Sequence, residues 1–374
     1  MDGTEGGKHV KTQSFVNVST KQERIAEQAR ACPDLVFTAL HHHIDLEWMF
    51  MAWHLTRKDG AVGVDGVTAA EYEMDLEARL SDLLNRIKSG SYRAPPVRRH
   101  FIPKGDGRLR PLGIPTLEDK VAQRAIVMIL EPIYEADFLP CSYGFRPGRS
   151  AHDALSDLRE GLAVEGLRWV IDADVKSYFD TIDHRHLRDF LDLRIRDGVI
   201  RRMIDKWLKA GVLDSGVLQR SETGTPQGGV VSPILSNVFL HHVLDKWMME
   251  TVRPRVGAFR LVRYADDFVI AFRNRRDGER VLAVLGARLA KFGLSLHPTK
   301  TRHVDFRPMA GGHDSQNRFD FLGFTHLWGK SRRGRWVVRQ FTAKARLARA
   351  AKSVWNWCKE HRHMPLGDQC RHLA

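Results

Sequence analysis

Asp266 and Asp267 stand side by side in "LVRYADDFVIAF", residues 261–272, an otherwise apolar run. Taking carboxylates out of water costs free energy unless something compensates their charge. The run reads as strand–turn–strand, with the pair at the turn. A third carboxylate, Asp174, stands at the end of the buried strand read in "RWVIDADV", one residue before its last letter. If these elements are neighbours in one sheet, three carboxylates converge at one edge. Hard oxygen donors of this kind suit Mg²⁺, which keeps its other positions for water and substrate phosphates. Two such ions, about 3.5–4 Å apart, would clamp the attacking and leaving oxygens of an in-line phosphoryl displacement. An Asp-Asp pair is also an ordinary turn sequence, because Asp hydrogen-bonds its local backbone there. Taken alone, the pair leaves both readings open.

The elements that must position these carboxylates form a mixed α+β order. Residues 1–20 are polar and read as a flexible leader. Helical patterning begins near Gln22. "KDGAVGVDGVT" is a glycine-punctuated turn, and Thr68 suits the N-cap of a helix that Gly90 ends. In "YRAPPVRRHFIPKGDGRLRPLGIPT", two segments flank the hairpin turn "KGDG" and carry a dense ribbon of cations. A long amphipathic helix is expected from Leu117 to Phe138. "ETGTPQGGVVSPILSNVFL" is a Gly/Pro turn feeding an apolar helix near Ser232, with Pro233 in its first turn. A helix closed by Gly293 comes next. "LSLHPTKTRHVDF", "RFDFLGFTHLWG" and "RRGRWVVRQF" read as strands, and the last segment is helical. Nothing repeats, and the order does not alternate strand and helix in the doubly wound manner.

Composition narrows the partners. The 374 residues are 43% hydrophobic, which suits two or three cooperating subdomains. The formal net charge of +14 favours a polyanion, with nucleic acid ahead of an anionic membrane surface. Four scattered cysteines form no disulfide framework, so a reducing cytoplasm is expected. The stretch "MDGTEGGKHVKTQSF" lacks the apolar core of a signal peptide, and no apolar run approaches the roughly 20 residues of a membrane span. His41, His42 and His43 cannot converge on one ion from a helix. Cys358, His361, His363 and Cys370 do not have the spacing of a common zinc finger.

"RYADDFVI" resembles the signature of reverse transcriptases. The blocks "IPKGDGRLRPLGIPTLEDKVAQRAI", "CSYGFRPGRSAHDAL", "DADVKSYFDTIDH", "GTPQGGVVSPILSNVFL", "GLSLHPTKT" and "FDFLGF" follow in the order of the group II intron type. "GVDGVT" matches an N-terminal block that sets this type apart from retroviral enzymes. The resemblance covers the chain from about Gln22 onward. It implies a right-hand polymerase: N-terminal extension and fingers over 21–140, a palm of antiparallel sheet and helices with finger elements over 141–328, and a partial helical thumb of the maturase X type over 329–374. It implies RNA-directed DNA synthesis from dNTPs on an RNA template with a DNA or RNA primer, and binding of intron RNA. Asp174, Asp266 and Asp267 would be the metal ligands for two Mg²⁺ ions, with Mn²⁺ as a substitute, and the backbone carbonyl of Val175 a further ligand. Phe179 matches the aromatic gate against a ribose 2′-OH. Lys104 and Arg110 match residues that hold the triphosphate, with Arg98 a weaker third. Gln227 matches a residue beside the nucleotide sugar, and Lys300 a lysine near the phosphates.

The terminal helix in "FTAKARLARAAKSVWNWCKEH" resembles the first helix of the family's thumb. Leu347, Ala351, Val354 and Cys358 line one face, cations decorate the others, and Thr342 is expected to cap it. The family's thumb continues with further helices, so the resemblance implies a shortened thumb with a weaker grip. Two alternatives remain at this level: a non-catalytic RNA-binding splicing maturase, and a reverse transcriptase linked to phage defence or CRISPR. A complete set of three aspartates argues against the first. The second lacks a supporting appended domain.

Overall fold

The computed structural model describes residues 6–103, 109–214, 217–219, 223–224, 228–308 and 317–373. The helix α1 (Gly6–Ala31) comes first. Asp45 caps α2 (Leu46–Leu55) by accepting from the Trp48 N–H at 3.0 Å. Thr68 and Glu71 form a reciprocal capping box on α3 (Ala69–Glu73), and α4 (Leu76–Ser89) ends at Gly90 with φ of 81°. The expected single helix is thus broken at Met74 and Asp75. The hairpin β1 (Val97–Pro103) and β2 (Leu109–Ile114) precedes α5 (Leu117–Asp137), which Thr116 caps. Then come α6 (Ala151–Ala163), β3 (Trp169–Ala173), α7 (Tyr178–Thr181), α8 (His184–Asp192) and α9 (Gly198–Lys209). The short strands β4 (Val212–Asp214) and β5 (Val217–Gln219) follow, then α10 (Ser232–Leu240). This last helix continues as π-helical turns over His241–Asp245 and Trp247–Val252. A tight hairpin, β6 (Phe259–Tyr264) and β7 (Asp267–Phe272), leads to α11 (Arg275–Ala290) and β8 (Arg302–Asp305). The chain ends in β9 (Phe319–Phe321), β10 (Phe324–Lys330), β11 (Trp336–Thr342), α12 (Lys344–Glu360) and α13 (Leu366–Leu373).

Three sheets result. The central one has the order β6-β7-β3-β8, antiparallel throughout. Strand alternation gives it two buried faces. Ile171, Leu261 and Ile270 join the large cluster built around α5 and α10. Val170, Val262, Val269 and Ala271 join a second cluster with α6 and the β9–β11 sheet. The third sheet, β2-β1-β4-β5, carries the long hairpin. Among the described residues no helix is long and apolar enough to cross a membrane.

Four expectations change. The leader expected over 1–20 is helical from Gly6, and Val18 is wholly buried where α1 packs on α5. Residues 294–301 form no strand; their backbone meets the end of β3 at an isolated bridge between Val175 and Leu296. Thr342 ends β11, so Ala343 takes the cap position of α12 without a side-chain bond. The apolar face of α12 covers no core: Leu347 and Val354 are at least half exposed, because the helix extends beyond the sheets.

Candidate active site

Backbone register places the three aspartates at one edge of the central sheet. β3 pairs β7 with Ala173 opposite Phe268, so Asp174 follows β3 at the same sheet edge where Asp267 begins β7. Tyr264 pairs with Asp267 and closes a two-residue loop, Ala265–Asp266. Ala265 has φ of 57° at the first central position, where such turns favour glycine. A non-glycine residue held there costs about 1–3 kcal/mol. The neighbouring chain accommodates the turn by being bare: a Cβ on Gly144 would meet the Ala265 nitrogen at 2.4 Å.

Asp174 and Asp267 line a cleft of about 600 Å³ together with Asp172, Thr299, Lys300, Arg302 and Asp320. Its far wall is the Phe321–Gly323 turn of the C-terminal sheet. Desolvation is the first cause raising the pKa of Asp266, and the Asp174 charge adds to it; Arg110 and Arg263 oppose. Asp267 is pushed up to about 6 by desolvation on the cleft floor and then by Asp266, Asp174 and Asp172, with Lys300 opposing. Its side chain nevertheless reaches solvent, so the crowding is that of an open cleft rather than a sealed core. Mutual elevation of this kind marks a site that gains from bound positive charge.

The oxygen donors suit a hard divalent cation by type. Among the described residues, no three His, Cys, Asp or Glu side chains stand together as a ready metal cage. The Lys300 ammonium is paired with the Asp174 carboxylate instead. The backbone of this corner is well held: the Asp174 carbonyl accepts from the His297 N–H at 2.7 Å, and the Lys176 N–H donates to the Ser295 carbonyl at 2.9 Å.

The other sequence-derived candidates divide into three groups. Arg110 lies on β2 within electrostatic reach of Asp266. A Cβ on Gly228 would meet the Gly113 carbonyl at 2.5 Å, so Gly228 abuts the same strand. Val175 is buried beside the carboxylates, and Phe179 is half-buried on α7 against the ring of Tyr178. Arg98 is committed elsewhere. It donates to the Val62 carbonyl at 2.7 and 3.1 Å and ties the residue just before the "GVDGVT" block to the hairpin. Lys104 and Gln227 lie outside the described residues.

Sequence reasoning missed Asp172, whose carboxylate shares the cleft and pairs with Arg302 at 2.8 Å. Strand alternation carried the signal, since residues two apart share a face. It also missed Arg263 and Asp245, a wholly buried ion pair behind the turn. An arginine inside an apolar strand run was the available sign.

The family model of reverse transcriptases (RNA-dependent DNA polymerases) matches residues 102–326. Protein YkfC of Escherichia coli (strain K12) is 35% identical over 355 residues, 85% of this chain and 90% of that protein. Group II intron-encoded protein LtrA of Lactococcus lactis subsp. cremoris is 36% identical over 230 residues, 61% of this chain and 38% of LtrA. A putative COX1/OXI3 intron 2 protein of Saccharomyces cerevisiae is 38% identical over 170 residues, 45% of this chain and 20% of that protein. The chain therefore spans most of the first relative and well under half of the other two. The family match takes in more than half of the chain and every residue of the carboxylate cleft, and on that ground the chain belongs to the reverse transcriptase family of RNA-dependent DNA polymerases.

Proposed function

We propose that the protein is a reverse transcriptase of the group II intron type, adding deoxynucleotides to the 3′-OH of a DNA or RNA primer on an RNA template, and binding intron RNA. The observation that carries the reading is the register of β3 on β7, which sets Asp174 beside Asp266 and Asp267 at one end of an antiparallel sheet. The similarity to intron-encoded proteins supports the group II assignment. In this reading residues 21–140 form the N-terminal extension and fingers, 141–328 the palm with finger elements and 329–374 part of the thumb.

Asp174, Asp266 and Asp267, with the Val175 carbonyl, are the residues that would hold two Mg²⁺ ions. Such ions, when bound, supply Lewis-acid stabilisation to the attacking and leaving oxygens. The chain's own side chains do the positioning. Arg110 and Lys104 would offer a forked donor and a point charge to a triphosphate. Lys300 pairs with Asp174 in the cleft and would supply a cation to the phosphates. Phe179 would exclude a ribose 2′-OH, and Gln227 would lie beside the sugar. Four free cysteines fit a reducing, cytoplasmic setting.

The test is primer extension on an annealed RNA template with Mg²⁺ and dNTPs. Asp266→Asn is expected to lower extension by about 10³-fold or more. Its affinity for template–primer should stay within about twofold, because the substitution removes a negative charge and no phosphate contact. Extension by Asp266→Asn at the parent rate would overturn the assignment.

A further inference from the structure

The side chain of Arg263 is wholly buried directly behind the turn that carries Asp266. We propose that Arg263 is a positioning residue: it holds the Ala265–Asp266 turn in place through Asp245, Asn237 and Ser142, and the π-helical stretch after α10 serves to bring Asp245 within its reach. The inference rests on the assignment of Asp266 to catalysis.

Every donor of the guanidinium is used. Nε donates to Asp245 Oδ1 at 2.8 Å and Nη2 to Asp245 Oδ2 at 2.6 Å. Nη2 also donates to Ser142 Oγ at 2.7 Å. Nη1 donates to Asn237 Oδ1 at 2.9 Å and to the Ala265 carbonyl at 3.0 Å. A guanidinium has five N–H bonds in a fixed fork, so this set fixes its plane completely. Charge balance alone would need only Asp245. The bond to the Ala265 carbonyl goes further, because it reaches the one residue of the turn that holds a positive φ.

The surroundings serve the same turn. Asn237 donates through Nδ2 to the Gly144 carbonyl at 2.8 Å, fixing the bare glycine against which the turn rests. The Arg263 N–H donates to the Cys141 carbonyl, and its carbonyl accepts from the Tyr143 N–H, both at 2.8 Å. One guanidinium, one carboxylate, one amide and one hydroxyl therefore tie residues 141–144 and the helix carrying Asn237 and Asp245 to the turn.

Helix geometry explains the π segment. Asp245 lies eight residues after Asn237, and eight α-helical residues rotate by about 800°, some 80° past alignment. The wider π turn over His241–Asp245 rotates less per residue, which returns Asp245 toward the face that carries Asn237. Arg288 of α11 braces the widened stretch, donating to the Val243 carbonyl at 2.9 Å and to the His242 carbonyl at 3.0 Å. Stretches of π-helix recur where a functional group must be re-aimed.

Two variants test the proposal. Arg263→Lys keeps the buried charge opposite Asp245 but cannot span the other acceptors. The double variant Arg263→Met with Asp245→Leu removes the pair without leaving a lone buried charge, and such replacements often preserve folding. In both, kcat for primer extension is expected to fall by about 10²-fold, as misplacement of a reacting group by about an ångström would cause. The KM for dNTP and the affinity for template–primer should change by less than about threefold, since neither ligand touches Arg263. Amide hydrogen exchange, read without metal or substrate, should accelerate at residues 264–267 while β3 stays protected. A folded variant with parent kcat and parent protection at the turn would overturn the proposal. So would a uniform loss of protection across the central sheet, which would mean a role in global stability alone. If the double variant does not fold, Arg263→Lys decides the matter. Parallel measurement of Asp266→Asn separates the two ideas: activity in that variant defeats the catalytic reading, while exchange at the turn still reports on Arg263.

Discussion

Two regions of this molecule handle charge in opposite ways. At the end of the central sheet, Arg263, Asp245, Asp266 and Asp267 are packed behind or around one turn, and the buried pair is compensated atom by atom. Between residues 330 and 359 there are ten Lys and Arg and no Asp or Glu, and α12 buries none of its residues. The first arrangement restricts a few charges to single positions, as chemistry at one phosphorus atom requires. The second spreads many charges over an open surface, which suits a phosphate backbone that can be gripped in any register. Desolvation makes the first arrangement expensive unless every partner is in place, whereas solvent makes the second tolerant of individual losses.

The backbone follows the same division. Among the described residues, the four non-glycine positions with positive φ are Phe145, Ser177, Ala265 and Leu322. Ala265 is in the aspartate turn, and Phe145 lies beside it against Tyr264. Ser177 follows Asp174 before α7, and Leu322 lines the facing wall of the cleft. Strained conformations persist only where the surrounding structure over-determines them, and here they ring one site.

The contrast can be broken by experiment. The largest expected effect is on stability at the buried pair. Asp245→Leu leaves the Arg263 guanidinium without its carboxylate and should cost about 3–5 kcal/mol in urea unfolding. Arg349→Ala on the exposed α12 should cost no more than about 0.5 kcal/mol. Equal losses would erase the distinction. Next in size is binding by the open surface. Replacing Arg332, Arg333 and Arg335 with alanine should weaken template–primer binding by about tenfold at low salt and make the log–log salt dependence shallower by about 2–3, with the melting temperature unmoved. An unchanged salt slope would remove this surface from the nucleic-acid contact.

The smallest effect sharpens the picture of the cleft. The folded-state pKa of Asp267 is raised to about 6, above its value in the unfolded chain. The folded state therefore takes up this proton first, and stability should rise as pH falls from about 6 toward 4. Asp267→Asn should remove that part of the pH dependence and stabilise the metal-free protein at pH 7. Because the side chain is open to solvent, screening limits the gain to about 1 kcal/mol. A melting temperature that falls on substitution would show that the carboxylate cluster is not under electrostatic strain.

Much of this was legible before any coordinates. The Thr68 N-cap, the Gly90 stop, the β6–β7 hairpin and the span of α5 all depend on side chains within a few residues of the backbone they control. The adjacency of Asp266 and Asp267, and the strand that ends in Asp174, were equally plain, since alternation and turn chemistry are local. Only the tertiary structure decided that Asp172 meets Arg302 across 130 residues, that Arg98 serves Val62 rather than the cleft, that residues 6–20 join a packed helix, and that a π turn carries Asp245 to Arg263. These outcomes depend on which distant surfaces come into contact, and a guanidinium takes its partner from whatever acceptors the packed fold leaves within about 3 Å.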